Sequence, residues 1–187
     1  NGLGADPATI SGASLTAART LQDAAEAAVS LALGKKPKKS VSPKPSFNPA
    51  SFAKGQKYVR GLYSGGTFCY EATLLLGETL SPIASNTPVG KAKGLADVWL
   101  SEGHTLVDLG DDVFTRGRPH PMIDHRLRNE RMTAEAADPE TAVLLLDVVL
   151  GYGSHPDPAG EIAPAVRAAK TVASEAGRTL AVVGFVC

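Results

Sequence analysis

The densest run of residues that could do chemistry is the segment 108–128, D-L-G-D-D-V-F-T-R-G-R-P-H-P-M-I-D-H-R-L-R. It places acidic side chains, four arginines and two histidines behind a short apolar run. Arginine offers a planar fork to carboxylate or phosphate, and histidine titrates near neutral pH. A loop this polar at the end of a predicted strand is typical of a site that holds an anion or moves a proton.

Three loops are expected to lie together at the carboxyl edge of the sheet and to form one binding site there, to which the segment 108–128 contributes. In open parallel α/β sheets, ligands bind beyond the carboxyl ends of the strands. The loops that follow predicted strands are 64–67, 110–124 and 151–158.

The first loop is the S-G-G-T run of Ser64, Gly65, Gly66 and Thr67. Bare glycine amides at a helix start, with hydroxyls beside them, suit a phosphate or carboxylate. The same run is equally typical of a tight strand-to-helix turn with a hydroxyl cap. Both interpretations stay open at this point.

The second loop offers an anion-binding pair and a proton carrier. His120, held between two prolines, could carry a proton or act as a transient nucleophile, or it could only shape the loop. The residues that would accompany it are the phosphate-binding candidates Arg116 and Arg118 and the supporting acids Asp111 and Asp112.

The third loop contributes His155, a second candidate for proton transfer, and Asp157 as a supporting acid. Together with His120 and Asp111, these residues could in principle bind a metal. Their spacing in the sequence is not that of a zinc or iron site. No metal is therefore expected.

Composition limits the class of protein. Of the 187 residues 43% are hydrophobic, which is enough to build a core. Lys plus Arg equals Asp plus Glu at 19 each, which argues against a nucleic-acid partner or an acidic membrane surface. No apolar run is long enough for a membrane span. The two cysteines, Cys69 and Cys187, have no paired spacing, which favours a reducing, cytoplasmic setting.

The chain divides into three regions. Thr20 and Asp23 form a capping-box pattern ahead of an alanine-rich helix that ends at Gly34. Residues 35–56 are rich in lysine and proline and are predicted to be a linker. Residues 57–187 alternate strand-like and helix-like segments, which predicts an α/β domain with a parallel sheet and helices on both faces.

Within residues 57–187 the pattern predicts four strands, at 58–63, 105–109, 143–150 and 180–186. Helices are predicted at about 66–80, 123–137 and 159–176, with Asp124 as the N-cap of the second. Residues 81–94 are predicted to be a loop punctuated by proline and glycine. Because a doubly wound sheet usually closes with a further strand and helix, we expect the domain to be truncated after its fourth strand and the chain to be part of a longer polypeptide.

Three motifs carry a resemblance to a known family: R-G-L-Y-S-G-G-T-F-C-Y-E-A at 60–72, G-R-P-H-P-M-I-D at 117–124 and D-V-V-L-G-Y-G-S-H-P-D-P-A at 147–159. In this order they resemble the FdrA proteins, relatives of succinyl-CoA synthetase. The resemblance implies a flavodoxin-like CoA-ligase domain, similar to the carboxyl-terminal domain of the synthetase β subunit. Residues 1–34 would then be the strand-helix end of a preceding ligase-like domain, with residues 13–34 as its closing strand and helix.

The resemblance also implies chemistry on acyl-phosphate intermediates, with the Gly65–Gly66 helix start stabilising phosphate. The superfamily's phosphorylated histidine lies in a Gly-His-Ala-Gly segment that this sequence lacks, so His120 and His155 do not inherit that role. The ATP-grasp and CoA-binding domains are absent from these residues as well. Family members have been linked with an oxamate carbamoyltransferase, which makes carbamoyl phosphate a candidate ligand beside phosphate and CoA.

Two functions remain open. The first is a domain of a ligase or transferase that binds a phosphorylated acyl or carbamoyl group, with no cofactor resident in this chain and a small anionic substrate. The second is a non-catalytic assembly domain that completes an oxamate carbamoyltransferase-type complex. Either function would need other domains of the same polypeptide or partner subunits. A flavin or nucleotide binder is disfavoured, because few aromatic residues are present to stack a ring.

Overall fold

A computed structural model describes residues 17–18, 20–36 and 52–187. The chain forms two compact units, residues 1–48 and 49–187. In the first unit, helix α1 spans Leu21–Ala32. Thr20 Oγ1 accepts a hydrogen bond from the Asp23 amide at 3.0 Å, which confirms the predicted cap. The strand expected to begin at residue 13 lies outside the described residues, as do residues 37–51 of the expected linker.

The second unit is built on a six-stranded, all-parallel sheet. The strand order is β3-β2-β4-β1-β5-β6. The strands are β1 (Tyr58–Tyr63), β2 (Ile83–Ser85), β3 (Lys93–Gly94), β4 (His104–Asp108), β5 (Thr141–Val148) and β6 (Ala181–Val186). The central strands β1 and β5 pair in parallel, with Gly61 opposite Leu145.

Helices cover both faces of this sheet. They are α2 (Gly66–Leu76), the short α3 (Asp112–Thr115), α4 (Arg126–Ala137) and α5 (Pro158–Glu175). Side chains of adjacent strand residues point to opposite faces. One apolar cluster therefore joins Leu62, Val107 and Leu144 to Met132 and Ile162 on α4 and α5. A second cluster joins Tyr63 and Leu106 to Cys69 on α2. The predicted three-layer α/β, flavodoxin-like architecture is confirmed.

The prediction of a plain loop at 81–94 was wrong. This stretch contains β2 and β3, which extend the sheet beyond β4. Both strands are only two or three residues long and carry no alternating apolar pattern, so the periodicity on which strand prediction depends is missing. The sheet thus has six strands where four were expected.

Helix α4 is fixed to the amino ends of the strands by buried ion pairs. Arg60 Nη2 on β1 lies 2.6 Å from Asp138 Oδ2, and Arg60 Nε lies 3.2 Å from Glu135 Oε2. Arg131 Nε lies 2.7 Å from the other oxygen of Glu135. Arg60, Arg131 and Glu135 are all buried. Because α4 runs back along the sheet, these contacts also fix the position of its first turn at the carboxyl edge.

Among the described residues, no helix has the length and apolar character needed to cross a bilayer.

Candidate functional site

Three neighbouring strands end in buried polar residues at the same edge of the sheet. Ser64 follows β1, Asp108 ends β4 and Asp147 is the penultimate residue of β5. All three are buried. Since β1 lies between β4 and β5, the three side chains surround the point where the chain leaves β1 and enters α2.

Helix α2 begins at this point without a capping side chain. Gly65, the N-cap residue, is extended, and no side chain of the described residues caps the first turn. The first turn also has no acidic residue. The positive end of the helix dipole and the first amide groups are therefore available to an anion. Thr67 is exposed beside them.

The loop after β4 packs closely against the loop after β1. A Cβ atom placed on Gly110 would lie 2.6 Å from the Ser64 carbonyl oxygen, 2.7 Å from His120 Nε2 and 3.1 Å from Asp108 Oδ1. Only a glycine allows the two loops to approach this closely. The structure thus brings His120 to the helix start that the first loop forms.

The carboxylate of Asp108 faces the first turn of α2. Its Oδ1 accepts a hydrogen bond from the Gly110 amide at 2.9 Å. Its Oδ2 would lie 3.0 Å from a Cβ atom on Gly66. Burial raises the pKa of Asp108, and the nearby Asp111 adds to the effect, while the Gly110 amide and His120 oppose it.

A buried ion pair fixes the exit from β1. Arg128 Nη1 on α4 lies 2.5 Å from Asp147 Oδ1. Asp147 in turn accepts hydrogen bonds from the Ser64 amide at 2.9 and 3.0 Å and from the Ser64 hydroxyl at 2.9 Å. Arg128 Nη1 also donates to Ser64 Oγ at 2.8 Å. Both hydrogen-bond donors of Ser64, its amide and its hydroxyl, are therefore bonded to Asp147. Ser64 thus fixes the turn that precedes Gly65.

The two arginines of the second loop lie further out. Arg116 and Arg118 are both exposed. The Arg118 guanidinium lies 5.7 Å from the ring centroid of Trp99. It also lines a cavity of about 320 Å³ whose wall includes Phe114 and Asp124. No contact brings either arginine against Gly66.

The two supporting acids of the second loop lie at the start of the short helix α3. Asp111 is its N-cap, and Asp111 Oδ1 accepts a hydrogen bond from the Val113 amide at 3.0 Å. Asp112 is exposed in the first turn. Asp111 therefore caps α3 while its charge still acts on Asp108, whereas Asp112 faces solvent.

The third loop reaches the second through its backbone. The His155 amide donates to the Met122 carbonyl at 2.9 Å. Asp157 is the N-cap of α5, and its Oδ1 accepts from the Gly160 amide at 2.9 Å. The His155 ring lies 5.6 Å from the ring of His125. His155 therefore neighbours His125, whose Nδ1 lies 3.1 Å from Arg128 Nη2.

The described residues contain no group of three or more histidine, cysteine or acidic side chains that could hold a metal ion.

A comparison with protein-family models matches residues 62–187 to the CoA-ligase family. The chain belongs to the CoA-ligase family. It is also similar to the uncharacterized protein YahF of Escherichia coli (strain K12), with 44% identity over 131 residues. These residues make up 70% of this chain and 25% of YahF, so the chain spans about a quarter of that relative's length.

In this CoA-ligase domain, sequence reasoning missed the residues that hold the site together. Asp147 lies inside an apolar run, and neither Asp147 nor Arg128 was selected as a site residue. A charged residue near the end of a strand buried on both faces is the signal that could have found Asp147, because such a charge needs a partner.

The prediction that Asp124 caps α4 was wrong by one residue. The N-cap residue is His125, which makes no capping hydrogen bond with its side chain. Asp124 Oδ1 accepts from the Arg126 amide at 3.0 Å, and its carboxylate also pairs with the Arg126 side chain. These hydrogen bonds lower the pKa of Asp124 to about 2.

Proposed function

We propose that this CoA-ligase domain binds a phosphate or acyl-phosphate group at the carboxyl edge of its sheet, as part of an FdrA-like enzyme of the acyl-CoA synthetase superfamily. The observation that carries the proposal is the uncapped start of α2, against which His120 and Asp108 are held. The family match to CoA ligases supports the superfamily assignment.

The first turn of α2 would bind the anion. The amides of Gly66 and Thr67 and the Thr67 hydroxyl can donate to phosphate oxygens, and the helix dipole favours negative charge there. Gly65 keeps the approach open, because a Cβ atom at this position would meet no other atom within 4 Å. A ligand can therefore reach the backbone from solvent.

The second and third loops would supply positive charge for the ligand and the groups that move a proton. Arg116 and Arg118 are exposed, and their guanidinium groups would offset the charge of a ligand. His120 is the residue best placed to move a proton, since its Nε2 lies near Gly110 and Asp108. His155 would act through His125 and the Arg128 ion pair.

The reaction would be completed outside this chain. The resemblance to FdrA proteins makes carbamoyl phosphate the acyl-phosphate of choice, in an oxamate carbamoyltransferase type of reaction. Other domains of the same polypeptide, or partner subunits, would supply the acceptor and any CoA or nucleotide site. In such a transfer the phosphate group must be bound while the carbonyl carbon stays accessible to a nucleophile. An exposed helix start permits this arrangement.

The test is a titration of the ¹⁵N-labelled protein with inorganic phosphate and with carbamoyl phosphate, followed by amide resonances. We expect saturable shifts at residues 65–68 and at His120, while residues near the end of α5 stay unchanged. Shifts confined to the lysine-rich segment 35–39, or no saturable shift at all, would refute the proposal.

A pair of threonine variants makes the test specific. Thr67→Val removes the hydroxyl at the helix start and should weaken phosphate binding several-fold, because one donor is lost. The matched control is Thr171→Val on α5, where Thr171 Oγ1 bonds only the Arg167 carbonyl of its own helix. If the two variants bind phosphate equally well, the anion is not at the α2 start.

A specific feature favours the second candidate function, an assembly domain of an oxamate carbamoyltransferase-type complex. The edge strand β6 exposes Val183, Phe185 and Val186, which are 52%, 37% and 66% accessible. An apolar edge strand is a surface that another chain can cover. If the domain serves only assembly, added phosphate would leave the amide resonances of residues 65–68 unchanged. Sedimentation would instead show association that the variant Val183→Lys abolishes.

A further inference from the structure

We propose that the cavity between the second loop and α4 binds a small organic acid, with an apolar body inside the cavity and a carboxylate paired with Arg118. This second-loop cavity is lined by residues between Leu109 and Glu130 and has a volume of about 320 Å³. A volume of this size is near the lower end for small-molecule sites. The inference goes beyond the proposed function, because it assigns a different ligand to a different place from the α2 start.

The wall of the second-loop cavity is apolar inside and charged at the solvent edge. Its buried part consists of Leu109, Phe114 and Pro121. Its exposed charged part consists of Arg118, Arg126 and Glu130. Sites for small molecules typically combine apolar walls with a few polar groups that fix the orientation of the ligand. A ligand bound here would bury an apolar body and keep a charged group at the edge.

The two arginines at the edge of the cavity differ in their partners. Arg126 Nε and Nη2 lie 2.9 and 2.5 Å from Asp124 Oδ2, and the charge of Glu130 also acts on Arg126. Arg118 has no acidic partner, and its side chain donates no hydrogen bond to any residue that the structure describes. The guanidinium donors of Arg118 are therefore available to a carboxylate, which they can bind through two parallel hydrogen bonds.

Arg118 is held beside the cavity by the turn that ends α3. Gly117 has a φ of +72°, which favours glycine, and the Arg118 amide donates to the Thr115 carbonyl at 3.1 Å. The Arg118 guanidinium lies over the Trp99 ring, 5.7 Å from its centroid, and the Trp99 ring in turn contacts Phe114 edge-on at 4.8 Å. A guanidinium over a ring face keeps its in-plane N–H groups free for another acceptor. Arg118 is therefore positioned for a carboxylate before any ligand arrives.

The second loop separates this cavity from the α2 start. Pro119 and Pro121 line the cavity. His120, between them, directs its Nε2 toward Gly110 instead. An acid in the cavity and an anion at Gly66 would therefore lie on opposite sides of the loop. The two ligands would occupy separate positions, so that neither needs to displace the other.

The experiment titrates the protein with benzoate and with hexanoate, an aromatic and an aliphatic acid. Trp99 is the only tryptophan of the sequence, so its fluorescence reports on the cavity wall. Amide resonances of residues 117, 118, 126 and 127 give a second signal. We expect saturable binding of at least one acid. The neutral amides of both acids lack the charge and acetate lacks the apolar body, so each should bind at least about tenfold more weakly.

A pair of arginine variants tests the contact with Arg118. Arg118→Gln removes the guanidinium and should weaken binding of the acid roughly tenfold, because a charge-assisted hydrogen-bonded pair is lost. The matched control is Arg167→Gln on α5, an exposed arginine that does not line the cavity. It should bind the acid like the wild type. Both arginines are exposed, so both variants should fold, which circular dichroism checks.

The result that overturns the inference is equally concrete. The inference is wrong if neither acid binds saturably, if an amide binds as tightly as its acid, or if Arg118→Gln and the wild type have equal affinities. Inorganic phosphate, added at constant ionic strength, should not compete with the acid. Competition would place both ligands at one site and refute a separate cavity site. Phosphate shifts at residues 65–68 test the proposed function independently, so either proposal can fail alone.

Discussion

Arg128 Nη1 lies 2.5 Å from Asp147 Oδ1, and both side chains are almost completely shielded from solvent. The pair joins helix α4 to the end of β5, and through the Ser64 amide it reaches the exit of β1. It therefore lies directly beneath the α2 start, at the position where three elements must keep a fixed geometry.

Removing one partner of this pair should strongly destabilise residues 49–187. In Arg128→Met the Asp147 carboxylate would stay buried without its counter-charge, and breaking a buried pair in this way costs about 3–5 kcal/mol. Urea unfolding followed by circular dichroism measures the loss. The matched control is Arg126→Met, because Arg126 pairs with Asp124 on the surface and should change stability far less. Equal losses in the two variants would contradict the role of the buried pair.

Gly110→Ala should destabilise the protein because the loops after β1 and β4 are in backbone contact. The new Cβ atom would lie 2.6 Å from the Ser64 carbonyl oxygen, so one loop must move, at a cost of about 1–3 kcal/mol. Gly65→Ala is the comparison for stability, since its Cβ atom meets no other atom within 4 Å and its backbone is extended. Its expected loss is below about 1 kcal/mol. A smaller loss for Gly110→Ala than for Gly65→Ala would show that the loops are not in close contact.

Much of the fold could be predicted because its main elements have long, regular patterns. The near-continuous apolar run of β5 predicts a strand buried on both faces, and Thr20 with Asp23 predicts the start of α1. Cys69, in the apolar part of α2, is fully buried in the core cluster with Tyr63 and Leu106. The strands β2 and β3 escaped prediction because each is too short to show any periodicity.

The candidate site was predictable only in part. Glycines after a strand and a histidine between prolines are local signals, and they selected Gly66 and His120. The contacts of Arg128 with Asp147 and of Asp108 with the α2 start join residues far apart in the chain. Such contacts depend on strand order, which no local pattern encodes. Parallel-sheet topology could place the loops at one edge, but it could not say which side chains would be buried there.

His125 should make the protein less stable in mild acid. Burial lowers the pKa of His125, and the positive charge of Arg128 lowers it further. The unfolded chain, with a histidine pKa of about 6.5, then binds a proton more readily than the folded chain. The free energy of unfolding is therefore highest above this pKa and decreases as the pH falls toward the folded value.

The variant His125→Asn isolates this effect, since an amide oxygen can still accept from Arg128 Nη2, which lies 3.1 Å from His125 Nδ1 in the wild type. Urea midpoints at pH 7.5 and 5.5 should differ less in His125→Asn than in the wild type. His104, whose pKa is also lowered by burial, should retain its own share of the pH dependence in both proteins. An unchanged pH dependence would mean that folding does not shift the pKa of His125.

The two cysteines should differ sharply in their reaction with a disulfide reagent. Cys69 is fully buried, and burial raises the pKa of its thiol to about 12, so almost no thiolate forms and the reagent has no access. Cys187 is exposed, although partial burial and Asp147 raise its pKa and slow it relative to a free thiol. At pH 8, Ellman's reagent should therefore label one thiol quickly, with a rate that rises with pH, and the second only as fast as the protein unfolds.

Cys187→Ser should remove the fast phase and Cys69→Ala should leave it intact. Rapid labelling of Cys187→Ser in native conditions would show that the α2 face of the sheet opens to solvent.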